Sequence, residues 1–543
     1  MLKLSRDGIK VADNWRQMGI ELPQFDRQHM IALTLERPRW VHFGAGNIFR
    51  AFIAMLQQEL LNSGEVDTGV IAVEGFDYEI IDKIYAPHDN LSLLVITNSD
   101  GNFEKKVIGS VSESLIGDPS KKGDWERLNA IFSNPSLQMV SFTITEKGYN
   151  LKSNSGKYLP DVEKDILEGP KHPRNIIAKV ASLAYTRYKN GKLPVAFVSM
   201  DNCSGNGKRL HDAVEAIARE WVERELVEKG FLEYINNPEK VTFPWSMIDK
   251  IVPRPSEEVK KALNQIGFMD TQIVCTDKNT FIAPFVNAEK PQYLVVEDNF
   301  PNGRPPLEKA GVLFADRSTV EKAEKMKVCT CLNPLHTSLA VFGCLLGYNL
   351  ISEEMRDPHL KRLVEKVGYE EGRPVVADPG ILDPEKFIKE VIEERLPNPY
   401  IPDTPQRIAT DTSQKIGIRF GETIKAYCER PDLDVRKLKY IPLVIAGWCR
   451  YLMGIDDRGN EMALSPDPLL DTLRACVANI RLGSNISPCD SLKPILSNEG
   501  IFGLDLYSVG LGEKIEGYFN DMISGVGAVR RALQKHLGVD VNQ

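Results

Sequence analysis

The segment 40–52 constrains the fold of this chain more than any other part of the sequence. It begins with the apolar run 40–43, turns through Gly44 and Gly46, and continues into an apolar run with helical character. A strand, a glycine turn and a helix in this order expose backbone N–H groups at the helix N-terminus, where a pyrophosphate can bind. The segment predicts an α/β protein whose N-terminal domain is a Rossmann-like, doubly wound, mostly parallel sheet.

The glycine turn supplies the first set of predicted cofactor-binding residues. Gly44 permits the tight turn, and Gly46 lets a phosphate approach the backbone. Phe49 stands where the usual fingerprint has its third glycine, so a purely structural turn is the alternative interpretation. The residues that we assign to the cofactor at this turn are Gly44, Gly46, Asn47, Ile48, Phe49 and Arg50.

A second apolar run, 69–73, ends in the acid Glu74. In a βαβ unit, an acid at this strand end accepts hydrogen bonds from a ribose 2′-hydroxyl, and its charge repels a 2′-phosphate. Glu74 therefore predicts NAD rather than NADP, although its spacing from Gly46 exceeds the typical ~20 residues. Asp77 is the reserve candidate, and the alternative is that Glu74 only ends the strand.

The bulk properties of the chain narrow its class. The 543 residues are enough for about two to four domains, and the net charge of −8 argues against a general nucleic-acid binder. No run approaches the ~20 apolar residues that a membrane span needs, and the N-terminal residues form no apolar leader, so we expect a cytoplasmic protein. The nine cysteines form no CxxC pair and have no partner at zinc-finger spacing, which predicts reduced thiols and no metal site.

The pattern of the chain changes near residue 317. Before it, apolar strand-like runs at 70–73, 91–97, 139–145 and 195–200 alternate with helical runs such as 213–228, which predicts a mostly parallel sheet. After it, helical runs dominate, at 335–346, 384–396, 423–429 and 440–453. We therefore expect an NAD-binding domain over 1–316, with a surface excursion at 150–175, and a mainly helical catalytic domain over 317–543.

The segment 324–336 brings a lysine, Asn333 and His336 close together. A partly desolvated lysine can act as the base in hydride transfer from an alcohol, and an asparagine amide can donate to the developing alkoxide. A histidine can hydrogen-bond a sugar hydroxyl or orient the lysine. The alternative is structural, because Asn333 before Pro334 is typical of a helix N-cap.

Polar residues also follow two predicted strands, in the segments 143–149 and 199–207. Ligands of open α/β sheets bind beyond the carboxyl ends of the strands, so both segments are candidate site loops. We assign Thr145 and Glu146 to the cofactor site. An Asn/Gly turn stabilised by its own side chains is the alternative for the second segment.

These features occur in one order that resembles the polyol-specific long-chain dehydrogenases, the family of mannitol 2-dehydrogenase and the hexuronate reductases. The resemblance covers residues 39–530 approximately. The blocks that carry it are Gly44-x-Gly46 with Arg50-Ala51, the segment 143–149, Ser199-x-Asp201-Asn202 with Asn206-Gly207, the segment 243–249, Glu297-Asp298 with Arg304-Pro305, and the segment 411–415.

The resemblance implies a metal-independent NAD(H) enzyme with a lysine general acid/base. Lys327 aligns with that lysine because Glu324 precedes it by three positions, and Asn333 and His336 follow in family order. Lys325 is the reserve candidate.

Further roles come from the same resemblance. Asn202 matches a second carbonyl-polarising asparagine, Asp249 matches an acid near the substrate, and Lys415 lies in the block that closes over the active site. A surface position is the alternative for Lys415.

The spacing departs from the family pattern at one point. The family has Asn five positions after the lysine, whereas Asn333 stands six positions after Lys327. In a regular helix this spacing puts Lys327 on the opposite side from His336. Either a π-bulge absorbs the extra residue, or the helix starts only at Pro334; we favour the second, because a residue before proline avoids the α region.

The resemblance implies reversible reduction of D-fructuronate to D-mannonate as the leading reaction. Reduction of tagaturonate to altronate and of fructose to mannitol are the alternatives, and a catalytically inactive NAD-binding sensor is the alternative from another class. The expected partner is a small-molecule substrate, with no nucleic acid and no membrane. A uronate needs a cation for its carboxylate, and Arg407, Lys415 and Arg419 are available.

Overall fold

The computed structural model describes residues 1–153, 155–484 and 489–538. The chain divides into two compact units. The first consists of residues 1–98 and 102–321, and the second of residues 99–101 and 322–543. The strands are β1 (Ile20–Glu21), β2 (Trp40–Phe43), β3 (Val70–Glu74), β4 (Ser92–Thr97), β5 (Phe103–Ile108), β6 (Val111–Ile116), β7 (Met139–Phe142), β8 (Val195–Ser199), β9 (Val241–Thr242), β10 (Ser246–Asp249), β11 (Val274–Cys275), β12 (Phe281–Ile282), β13 (Phe285–Glu289), β14 (Tyr293–Glu297) and β15 (Leu313–Ala315).

The described part of the chain also contains α-helices and π-turns. The α-helices are α1 (Ala12–Gln17), α2 (Arg27–Glu36), α3 (Ala54–Asn62), α4 (Lys122–Ser133), α5 (Thr145–Gly148), α6 (Pro160–Glu168), α7 (Ile176–Lys189), α8 (Asn206–Glu223), α9 (Lys229–Ile235), α10 (Glu257–Gln265), α11 (Arg317–Lys325), α12 (Asn333–Leu346), α13 (Ile351–Glu354), α14 (Pro358–Glu365), α15 (Pro384–Glu390), α16 (Pro405–Ile408), α17 (Thr412–Ile416), α18 (Glu422–Glu429), α19 (Tyr440–Tyr451), α20 (Leu470–Val477), α21 (Cys489–Leu496), α22 (Glu499–Phe502), α23 (Gly512–Ile523) and α24 (Ala528–Leu537). Wider π-turns occupy Phe49–Ile53, Ile81–Tyr85, Met326–Cys331, Lys366–Gly372, Val391–Arg395 and Gly417–Gly421.

The first unit is built on a six-stranded sheet in the order β6-β3-β2-β7-β8-β9, and every pair in it is parallel. Strands β2, β3, β7 and β8 are buried along their whole length, as expected for strands covered on both faces. Apolar residues of α4, α7 and α8 pack on one face, and those of α3 pack on the other. The predicted Rossmann-like α/β fold with a helix-rich C-terminal part is confirmed.

The run 91–97 does not belong to this parallel sheet, contrary to our expectation. It forms β4, which lies in a second sheet of order β1-β5-β4-β13 and pairs antiparallel with β5. The connection from β4 to β5 is the short turn closed by the hydrogen bond from Asn98 N to Asn102 O. A parallel crossover needs a dozen or more residues, so a connection this short dictates a hairpin.

The excursion expected at 150–175 is more ordered than its composition indicates. Helix α6 lies within it, and Val162 and Ile166 join the core on the α7 and α8 face of the sheet. The buried carboxylate of Asp165 accepts hydrogen bonds from the backbone N–H groups of Arg174 and Asn175. An apolar spacing of four residues on one helix therefore fixes part of the segment to the domain.

The second unit is helical, and α12 and α19 are its most buried helices. The helical run Arg317–Leu346 is long and apolar enough to cross a membrane by length and composition, and 78% of its most apolar window is buried inside the protein. This run contains α11, the π-turn Met326–Cys331 and α12. It carries the lysine segment identified in the sequence.

Candidate active site

Gly44 and Gly46 have different structural roles in the turn after β2. Gly44 has a φ of +104°, and a Cβ at this position would lie 2.2 Å from the carbonyl oxygen of Thr143. Gly46 has no described atom within 4 Å of the position that a Cβ would take. The fold requires Gly44, whereas Gly46 leaves an open cradle of the kind that a pyrophosphate fills.

The helix that follows the turn begins at Asn47. Its first intrahelical hydrogen bond runs from Arg50 N to Gly46 O at 3.3 Å. The N–H groups of the preceding turn, at Asn47, Ile48 and Phe49, are the ones that a helix start offers to an anion. The geometry of the turn therefore fits a dinucleotide phosphate.

The side chains of Phe49 and Arg50 point into the protein rather than outward. Phe49 is fully buried and stacks on His42, with ring centroids 4.6 Å apart. The Arg50 guanidinium donates to Ala283 O at 2.6 Å and to Asn47 Oδ1 at 2.7 Å. On this geometry Arg50 orients Asn47, and only the backbone N–H of Phe49, not its side chain, is available to an anion.

The carboxylate of Glu74 holds the glycine turn against the end of β3. It accepts hydrogen bonds from the N–H groups of Ala45 at 2.9 Å, Phe76 at 3.0 Å and Asp77 at 3.2 Å. Burial raises the pKa of Glu74, and these three hydrogen bonds oppose that shift. A carboxylate offers about four acceptor positions, so one position remains for a ribose hydroxyl.

Asp201, which follows β8, organises the loop after β7. Its two carboxylate oxygens accept from Ile144 N and Thr145 N, both at 2.9 Å, and from the Tyr149 hydroxyl at 2.5 Å. Thr145 has a φ of +64°, a strained conformation that these bonds hold in place. Sequence reasoning placed Asp201 in a motif but gave it no role.

The predicted residues near Asp201 lie at the surface of the first unit. The side chains of Thr145 and Asn202 are exposed. Glu146 is also exposed and forms an ion pair with Arg209 at 3.0 Å. The loops after β7 and β8 are therefore brought together, as their positions beyond neighbouring parallel strands predict.

Asp249 ends β10 in the same unit and is buried, with 7% of its surface exposed. Asn206 fixes the start of that strand, because its side chain donates to Ser246 O at 2.9 Å and accepts from Ser246 N at 3.0 Å. The structure therefore places Asp249 inside the first unit, at the end of a strand.

In the second unit, a π-turn takes up the extra residue after Lys327. Leu332 N donates to Lys327 O at 3.1 Å, five residues back along the chain, and the turn spans Met326–Cys331. The structure contains both features that we weighed: the π-turn, and a new helix, α12, which starts at Asn333 after a break at Leu332, one residue before the expected Pro334. Turns of this π type are frequent at functional sites.

Burial separates the two candidate lysines. Lys327 is 1% exposed, whereas Lys325 is exposed to solvent. The π-turn that carries Lys327 packs against the π-turn Gly417–Gly421. A lysine that exchanges a proton near neutral pH needs partial removal from water, and of these two lysines only Lys327 meets this condition.

Asn333 is the first residue of α12, and Leu332 occupies the N-cap position without a side-chain capping bond. The structural interpretation of Asn333 as the capping side chain is therefore not what the structure contains. The Thr337 hydroxyl donates to Asn333 O at 2.9 Å. The Asn333 amide is left to serve a group outside the helix backbone.

His336 lies one turn further along α12 and pairs with an acid that the sequence did not single out. Its Nε2 is 3.5 Å from a carboxylate oxygen of Asp403, and Asp403 also forms an ion pair with Arg407. Burial lowers the pKa of His336 to about 4, and the positive charges of Arg419, Arg407 and Arg395 act in the same direction. His336 is therefore a neutral imidazole at neutral pH.

Lys415 is half-buried, so the structure does not place it freely on the surface. Its ammonium donates to Thr410 O at 2.6 Å. Burial lowers the pKa of Lys415, and the neighbouring Arg419 lowers it further. Lys415 and Arg407, two of the predicted substrate residues, thus lie in the same cationic neighbourhood as His336.

The side chains that could ligate a metal ion are scattered in the part of the chain that the structure describes. Over residues 1–153, 155–484 and 489–538, no group of three or more His, Cys, Asp or Glu side chains is arranged to hold a metal ion. The eight cysteines whose side chains the structure describes are free thiols.

Both parts of the chain match a known family of proteins. Residues 38–309 match the mannitol dehydrogenase Rossmann domain, and residues 319–521 match the mannitol dehydrogenase C-terminal domain. The chain belongs to the mannitol dehydrogenase family of oxidoreductases.

Individual relatives sharpen this assignment. The chain is 58% identical to a D-mannonate oxidoreductase of Thermotoga maritima over 99% of both chains. It is 29% identical to a D-mannonate oxidoreductase of Escherichia coli, over 87% of this chain and 92% of the relative. A mannitol 2-dehydrogenase of Aspergillus fumigatus is 31% identical over 90% of each chain.

Two solved structures share the architecture. A substrate-free D-sorbitol dehydrogenase aligns with a TM-score of 0.77 and 26% identity, over 94% of this chain and 97% of the other. The mannitol 2-dehydrogenase of Pseudomonas fluorescens, in a ternary complex with NAD and D-mannitol, aligns with a TM-score of 0.70 and 26% identity, over 99% of this chain and all of the other.

Proposed function

We propose that this protein is an NAD-dependent oxidoreductase that interconverts D-fructuronate and D-mannonate. The observation that carries the proposal is the 58% identity, over 99% of both chains, to a D-mannonate oxidoreductase. The burial of Lys327, on the turn that precedes Asn333 and His336 in the chain, supports a catalytic protein over a sensor, because burial of a lysine is costly and is typical of proton-transfer sites. A soluble, cytoplasmic enzyme of hexuronate breakdown is the corresponding physiological role.

The first unit supplies the residues for the dinucleotide. The open backbone at Gly46 and the first-turn N–H groups of Asn47, Ile48 and Phe49 would hold the pyrophosphate. Glu74 would accept a ribose hydroxyl through its remaining acceptor position. NAD(H), when bound, supplies the hydride acceptor or donor for the reaction. We propose 1–316 as the cofactor domain and 317–543 as the catalytic domain.

The second unit supplies the proton chemistry. Lys327 would give its proton to the substrate oxygen during ketone reduction and take it back during alcohol oxidation. The amide of Asn333 would donate a hydrogen bond to the substrate oxygen, where negative charge develops, and Asn202 of the first unit is the other candidate for this role. The neutral His336 would hydrogen-bond a sugar hydroxyl, with Asp403 holding its ring.

The remaining predicted residues would contact the rest of the sugar acid. Asp249 would accept a hydroxyl hydrogen bond, and Arg407 and Lys415 would lie near the negatively charged end of the substrate. These roles need no metal ion, since a lysine and two amides provide both the proton and the stabilisation of the oxygen.

Oxidation of NADH in the presence of a panel of ketones tests the proposal. The panel contains D-fructuronate, D-tagaturonate and D-fructose, and absorbance at the nicotinamide band measures turnover. We expect the highest kcat/KM with D-fructuronate. A higher value with D-tagaturonate or D-fructose would move the protein to altronate or mannitol formation. NADH binding without turnover of any ketone would identify a sensor.

A further inference from the structure

Positive charge accumulates around the first turn of α12. The charges of Arg395, Arg407 and Arg419 all lower the pKa of the His336 imidazole, whereas the charge of Asp403 raises it. Asp403 is already engaged, because it pairs with both His336 and Arg407. The charges that act on this imidazole are therefore predominantly positive.

Arg419 is the member of this group that lies directly on the turn. Its Nη1 donates to the Thr337 hydroxyl at 2.5 Å, and that hydroxyl donates to Asn333 O at 2.9 Å. One buried hydroxyl group thus links the guanidinium to the residue that carries the candidate polarising amide. Arg419 is held at a fixed position beside the proposed reaction centre.

The guanidinium of Arg419 has donors left over. It carries five N–H donors, and the bond to Thr337 uses one of them. Among the described residues, no carboxylate lies within ion-pair distance of Arg419, although the side chain is half-buried. Its N–H fork is therefore available to an acceptor that is not part of this unit's own ion pairs.

The electrostatic environment of Arg419 also indicates that no acid balances its charge among the described residues. Burial lowers the pKa of Arg419 to about 10, and no acid offsets the shift among the residues that the structure describes. Arg419 in turn adds to the lowering of the pKa of Lys415. A partly buried cation without a balancing acid is costly, so a ligand that brings a negative charge relieves an unfavourable arrangement.

We propose that Arg419 binds the carboxylate of the sugar-acid substrate and thereby selects a keto-uronate over a neutral ketose. A guanidinium presents two parallel N–H groups that can bind both oxygens of a carboxylate. The ammonium of Lys415 has no such pair of parallel donors. Arg407 is less suitable, since it is mostly exposed and already paired with Asp403. This inference rests on the proposed function and specifies which residue reads the substrate class.

Ligand binding to the NADH-loaded enzyme tests the inference without turnover, because an alcohol does not react with NADH. D-Mannonate and D-mannitol differ in whether one end carries a carboxylate or a hydroxymethyl group. We expect Arg419→Met to weaken D-mannonate binding by about 10- to 100-fold, the range for a hydrogen bond to a charged group, and to change D-mannitol binding by less than about threefold. Titration calorimetry measures both.

Two further variants separate recognition from folding. Thr337→Val keeps the side-chain shape but removes the hydroxyl that positions Arg419, so we expect a smaller loss in the same direction, confined to D-mannonate. Arg362→Met removes an exposed arginine from α14 of the same unit, and its binding of both ligands should match the wild type. Melting temperature and NADH affinity are measured for all three variants.

The outcomes distinguish this inference from the proposed function. Equal losses for D-mannonate and D-mannitol in Arg419→Met, or unchanged D-mannonate binding in a folded variant, would overturn the role of Arg419 alone. If Arg419→Met does not fold, unchanged ligand preference in Thr337→Val overturns it instead. Failure of the wild-type enzyme to bind D-mannonate or to reduce D-fructuronate would overturn the proposed function itself.

Discussion

The glycine turn of the first unit and the lysine segment of the second unit both combine a helix start with a π-turn, yet they are built in different ways. The glycine turn presents backbone N–H groups, and the buried side chains of Glu74 and Arg50 hold this backbone in place through hydrogen bonds. The second presents side chains, and burial together with neighbouring charges sets their protonation. Binding of a common cofactor thus depends on backbone shape, whereas the proposed chemistry depends on side-chain environment.

This difference predicts how each region responds to substitution. A change in the backbone turn should alter cofactor binding and leave the intrinsic proton chemistry intact. A change in the lysine segment should do the reverse. Variants of the two regions should therefore fail in different assays.

The lysine segment gives the largest effect. Lys327→Ala should lower kcat by about 10²- to 10⁴-fold, the usual contribution of general acid–base catalysis, while NADH affinity stays within about threefold of the wild type. Steady-state kinetics and NADH fluorescence titration measure the two quantities. The pH profile for alcohol oxidation should also lose the ionisation of this lysine.

Lys325→Ala is the matched control, because Lys325 is exposed two positions earlier. Its rates should be near those of the wild type. A large loss in Lys325→Ala with normal rates in Lys327→Ala would show that the alignment of the lysine is wrong.

Because burial lowers the pKa of His336 to about 4, the pH profile of the wild-type enzyme above pH 5 should contain no ionisation from that residue.

The two glycines of the turn give the next effect and form their own matched pair. Gly44→Ala forces a side chain into a positive φ and against Thr143 O, which should cost about 1–3 kcal/mol from the backbone alone and lower the melting temperature. Gly46→Ala meets no described atom within 4 Å and should fold normally.

The effect of Gly46→Ala should appear only when the cofactor binds. We expect its NADH affinity to fall by about 10- to 100-fold, because the methyl group moves a phosphate away from charge-assisted hydrogen bonds. Calorimetric melting and fluorescence titration of both variants give the comparison. Unchanged NADH affinity in Gly46→Ala would place the pyrophosphate elsewhere.

Glu74 should produce a smaller and more mixed effect. The wild-type enzyme should prefer NADH to NADPH, because a 2′-phosphate would meet the Glu74 carboxylate, and Glu74→Gln should reduce the ratio of kcat/KM values by about tenfold or more. An amide accepts fewer of the three backbone hydrogen bonds that Glu74 receives, so the melting temperature should fall as well. Equal wild-type efficiency with both cofactors would contradict the prediction.

Removal of metal ions should produce the smallest effect. Prolonged dialysis against a chelator should leave turnover unchanged, since Lys327 and the amides of Asn333 and Asn202 account for the proposed proton chemistry. Inductively coupled plasma analysis of the dialysed enzyme confirms that metals are gone. Loss of activity that zinc or manganese restores would show that the chemistry was misread.

The sequence predicted the backbone region more completely than the side-chain region. The order strand, Gly44, Gly46, helix is a local pattern, and it folds as expected because the conformational demand on Gly44 comes from its immediate neighbours. Glu74 ends strand β3, as its position in the sequence indicated. Its three backbone hydrogen bonds were not predictable, because they depend on how the chain returns after β3.

The lysine segment shows the limit of sequence reasoning. Counting residues identified the candidate side chains and the extra residue, but it could not decide how the chain takes that residue up, because an α-turn and a π-turn have the same apolar pattern over so short a stretch. Asp403 and Arg419 are distant in sequence from the side chains that they contact on α12, so no spacing indicates them. The prediction that β4 lies in the parallel sheet was wrong for a similar reason, because its apolar pattern fits a strand of either sheet.

The π-turn at Met326–Cys331 holds one more residue than an α-turn, so residues at the same place in the structure no longer have the same spacing in the sequence. Five residues before Asn333 stands Val328, which an ungapped count would equate with the family lysine, although the lysine of this turn is Lys327. A gap placed anywhere in the turn restores the equivalence of the residues on both sides. An alignment of this segment with the family pattern therefore needs one extra position between α11 and α12.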